Sequence, residues 1–126
     1  MKYNEANGQP NRIEKGTKII GEIQSESDFR IDGILEGSIS TSGKVVIGKE
    51  GKINGKVICK NADFEGVFSG NLEVKETLTL KASSKTQGDV IISKLIVDAG
   101  AFFNAKCSMK LTSDVKSISD NREKIA

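Results

Sequence analysis

Gly37-Ser38-Ile39-Ser40-Thr41, Gly55-Lys56-Val57-Ile58-Cys59 and Gly70-Asn71-Leu72-Glu73-Val74 are one phrase written repeatedly along the chain. In each, a glycine precedes a polar residue, an apolar residue, a usually polar residue, and an apolar or small residue. Alternation of this kind is strand periodicity, and no helical period of 3.6 competes with it. The phrase continues upstream as Gly21-Glu22-Ile23-Gln24-Ser25. Downstream it becomes Gly88-Asp89-Val90-Ile91-Ile92 and then Ala105-Lys106-Cys107-Ser108-Met109.

Working outward, a second small residue opens each unit: Gly16, Gly33, Gly51, Gly66, Ser84, Ala101. These recur at intervals of roughly 15 to 18 residues, a solenoid-like period. Between the two small residues lies an apolar one, Leu35, Ile53, Phe68 or Phe103, with Thr86 as the polar exception. An apolar pair closes most units: Phe29/Ile31, Val45/Ile47, Ala62/Phe64, Leu78/Leu80, Leu95/Val97. Each unit therefore offers three short alternating segments, all too short for helices. The pattern predicts an all-β fold, a three-sided parallel β-helix of about six rungs. Equivalent residues would stack at ~4.8 Å, giving a rod roughly 25–30 Å tall. An ordinary sandwich would instead show turn dipeptides every ~8–12 residues. Within the repeats the only Asn-Gly, Asn54-Gly55, falls on a repeat position.

Composition agrees with a thin core. Of 126 residues 37% are hydrophobic and 5% aromatic, without Trp, while 13 Gly stand against one Pro. Basic and acidic residues nearly balance, 19 against 17, and they are interspersed. No basic stripe with interleaved aromatics marks a nucleic-acid partner. No apolar run is long enough for a membrane-spanning helix, and Met1-Lys2-Tyr3-Asn4 opens no signal peptide. The expected location is the cytoplasm, with the periphery of the inner membrane as an extension.

Several chemistries are disfavoured. The chain has no His, the commonest general base and metal ligand. That counts against a hexapeptide-repeat acyltransferase and a γ-type carbonic anhydrase, whose sites use His. No catalytic residue, metal site or cofactor is expected. The stretch Glu50-Gly51-Lys52-Ile53-Asn54-Gly55-Lys56-Val57 touches a P-loop pattern, but Glu50 replaces its first glycine and Val57 its magnesium-binding hydroxyl. Cys59 and Cys107 are expected on inward rows three rungs apart, roughly 14 Å, beyond disulfide reach. Asp28, Asp32, Asp63 and Asp98 are expected at solvated corners.

Gly16-Thr17-Lys18-Ile19-Ile20-Gly21-Glu22-Ile23, Phe29-Arg30-Ile31-Asp32-Gly33 and Leu35-Glu36-Gly37-Ser38-Ile39 resemble a bactofilin. So does the stretch Ala101-Phe102-Phe103-Asn104-Ala105-Lys106-Cys107-Ser108-Met109. The resemblance implies a right-handed β-helix over residues 13–111, with flexible tails at 1–12 and 112–126. It also implies a cytoskeletal scaffold that polymerises without nucleotide, like ends meeting, often at the membrane. Such scaffolds organise cell shape and cell-wall enzymes. Two departures stand out: Asn104-Ala105 replaces a family glycine, and the N-terminal segment lacks a short hydrophobic or basic anchor. The second argues against direct membrane binding.

The ends of a β-helix expose unpaired backbone and a section of core, which template association. The expected polymer interface is Ile13, Ile19, Ile20 and Ile23 at one end. At the other it is Phe102, Phe103, Cys107, Met109 and Leu111. The expected partner is the chain itself, as a homopolymer, with cell-wall enzymes or membrane proteins as clients. The alternative is a monomeric β-helical protein-binding module.

Overall fold

Leu35, Ile53 and Phe68 stand in register on successive parallel strands, and the whole fold repeats that relationship. The computed structural model describes residues 10–109. The strands are β1 (Asn11–Ile13), β2 (Lys18–Ser25), β3 (Phe29–Ile31), β4 (Ile34–Thr41) and β5 (Lys44–Ile47). They continue as β6 (Lys52–Cys59), β7 (Asn61–Phe64), β8 (Val67–Leu80), β9 (Lys85–Val97) and β10 (Phe102–Met109). Every pairing among them is parallel.

The strands form two stacks. The short stack runs β1, β3, β5, β7, then residues 77–80 of β8 and 94–97 of β9. The long stack runs β2, β4, β6, residues 67–74 of β8, 85–92 of β9, and β10. One short and one long strand make a rung, and about six rungs make an all-β solenoid.

Register converts the sequence repeat into inner rows. One row is Ile19, Leu35, Ile53, Phe68, Thr86, Phe103; another is Ile23, Ile39, Val57, Leu72, Val90, Cys107. A third is Ser25, Thr41, Cys59, Val74, Ile92, Met109. The short stack adds Phe29, Val45, Ala62, Leu78, Leu95 and, beside it, Ile13, Ile31, Ile47, Phe64, Leu80, Val97. Interior members are fully buried, whereas alternate residues face water. Each buried Ile, Val, Leu or Phe contributes about 1.5–3 kcal/mol, and β-branched residues suit the pleat. Phe64 and Phe68 stack with ring centroids 5.5 Å apart, filling rung four beside small Ala62, which shares the inward face of β7.

Gly21, Gly37, Gly55, Gly70 and Gly88 form a row of their own in the middle of the long strands. All have positive φ, between 122° and 145°. A Cβ at Gly37, Gly55, Gly70 or Gly88 would overlap the carbonyl oxygen of the glycine one rung earlier. Ala105 ends the row without a positive φ, yet β10 keeps its full register with β9.

Two readings of the residues are refined. The rung opener in register with Gly33 is Thr17, not Gly16, because Ile34 N–H donates to the Thr17 carbonyl as Lys52 N–H does to Gly33. Gly16 sits in the preceding turn, where its φ of 91° serves a tight reversal. Variation in repeat length is absorbed at corners: residues 48–51 and 81–84 use four positions where 32–33 and 65–66 use two. A bulge between Val74 and Thr77 does the same inside β8. The long-stack segments keep eight residues each, so their rows stay aligned.

Candidate assembly faces

The first rung is paired on one side only: β1 with β3 and β2 with β4. So is the last, where β10 pairs with β9 and residues 94–97 with β8. Each end therefore leaves strand edges without a ladder partner among the described residues.

The inner rows are cut open at these edges. Val97 is 46% exposed, whereas Leu80, one rung inward, is 0%. Met109 is 43% exposed against 0% for Ile92. Cys107 is exposed against buried Val90, and Phe103 is half-buried. At the first rung Ile19 and Ile23 are half-buried, while Ile13 is covered.

The structure thus brings Ile13, Ile19 and Ile23 together at one end and Phe103, Cys107 and Met109 at the other. Ile20 and Phe102 stand elsewhere, on the outer wall. Ile20 is 74% exposed in register with Glu36, and Phe102 is exposed in register with Lys85. Alternation explains this: of Ile19-Ile20 and Phe102-Phe103 only one of each pair can face inward. Leu111 and the two expected tails, apart from residues 10–12, lie outside the described residues. Val97 belongs to the exposed face too. Its signal is that it closes the last apolar pair, and no further rung covers it among the described residues.

The cysteines differ in setting. Cys59 is buried, and burial pushes its thiol up to about 12. Cys107 lies on a neighbouring row at the open end; its thiol is raised by partial burial. Both are free.

The outer wall carries ordinary ion pairs. Lys18–Glu36, Lys44–Asp63 and Lys60–Glu76 join successive rungs at 3.3, 2.7 and 3.7 Å. Exposed pairs like these contribute little, roughly 0–1 kcal/mol. Asp28 accepts a hydrogen bond from the Lys44 N–H at 2.9 Å, and Asp32 pairs with Arg30 at 2.9 Å. These carboxylates hold corners rather than converging. No group of His, Cys, Asp or Glu suited to a metal occurs among the described residues. The P-loop-like stretch is a corner followed by strand β6, so it supplies no helix N-terminus for a phosphate. No helix among the described residues is long and apolar enough to cross a membrane.

These features define a parallel β-solenoid whose first and last described rungs leave strand edges unpaired. Residues 11–108 match the family described as "Bactofilin: Polymer-forming cytoskeletal", and the chain belongs to the bactofilin family. It is similar to Bactofilin BacP of Myxococcus xanthus (strain DK1622), 28% identical over 72% of this chain and 38% of BacP. It is also similar to Bactofilin BacO of the same organism, 24% identical over 76% of this chain and 78% of BacO. The chain thus spans well under half the length of BacP. No solved structure matches it.

Proposed function

We propose that the protein is a cytoskeletal scaffold whose solenoid assembles end to end, without nucleotide, into filaments that organise cell shape or cell-wall enzymes. The cytoplasmic side of the inner membrane is where such clients would be met. The observation that carries the reading is the cut core: Val97 and Met109 exposed where Leu80 and Ile92 are fully buried. Burying four or five such side chains gives on the order of 5–10 kcal/mol. Association costs about 4–15 kcal/mol, so pairing of the open strand edges has to supply the remainder. Apolar burial and edge pairing together favour a second copy over a small ligand, because only another rung offers both.

Negative-stain electron microscopy and sedimentation of the purified chain without nucleotide test this. Filaments are expected. A monomer at high concentration would instead support the protein-binding module, and a discrete trimer would point to the acyltransferase class.

A further inference from the structure

We draw no further inference here: the strongest candidate, the outer row of the long stack in which Lys18, Lys52 and Lys85 alternate with Ile34, Val67 and exposed Phe102, carries nothing, because the alternation already serves to keep like charges off adjacent rungs and nothing in the structure shows what covers the row.

Discussion

Thr86 stacks directly on Phe68 along one inner row, and its Oγ1 is buried without a hydrogen-bond partner. Leu35, Ile53 and Phe68 fill the same row in the preceding rungs, and Phe103 follows it. A hydroxyl held there loses its water and gains nothing in return, a cost of about 1–3 kcal/mol.

Thr86→Val keeps the shape and removes that cost. The variant is expected to be more stable by about 1 kcal/mol. Urea denaturation of the unassembled protein reads this as a higher midpoint with an unchanged slope. A lower midpoint would mean the hydroxyl has a partner in solution.

Phe103→Arg places a guanidinium on the row that ends at the last rung. Burying it unpaired at a junction costs roughly 3 kcal/mol or more. Assembly is expected to weaken by about a hundredfold, while circular dichroism still reports a β fold, because among the described residues Phe103 has no rung beyond it to destabilise. Filaments at the wild-type concentration would count heavily against the end-face geometry.

Gly55→Ala tests the interior of the glycine row. Its φ is 145°, and a methyl would overlap the carbonyl of Gly37. The expected loss is about 1–3 kcal/mol of folding stability, with a lower melting temperature in the unassembled state. This differs from Phe103→Arg, which is expected to spare the fold and affect only association.

The thiols are expected to separate by reactivity. At pH 8 a disulfide reagent should modify Cys107 promptly and Cys59 only after unfolding, since burial holds Cys59 protonated. Linkage gives the sign for pH. Cys59 is raised from 9.0 to about 12, so the unfolded chain loses this proton first. The stability it contributes is full below about pH 9 and falls as the pH climbs towards 12. Subtracting the pH profile of Cys59→Ala isolates that slope, and two parallel profiles would refute it.

The rungs were legible in the sequence because an inner row tolerates no slip. A shift of one residue at Leu35 would turn Leu35 out and Glu36 in, so alternation and period together fixed which residues stack. What escaped was local. Gly16 looked like a rung opener because a glycine in a tight turn and a glycine in a crowded row have the same letter. Ile20 and Phe102 looked like end-face residues because hydrophobicity shows that a side chain wants cover, not which wall it stands on. The corner built by the Asp28 carboxylate accepting from the Lys44 N–H, and by the Asn61 side-chain Oδ1 accepting from the Thr77 N–H, depends on side chains meeting across rungs. No spacing rule within one repeat reveals those contacts.

The unequal corners have a practical consequence. Because residues 48–51 and 81–84 already lengthen the repeat without shifting a single row, they are natural insertion points for a short foreign peptide. An epitope or fluorophore-binding tag placed there would project sideways from the rod and leave both described end rungs uncovered, so the end-to-end proposal could be followed in living cells.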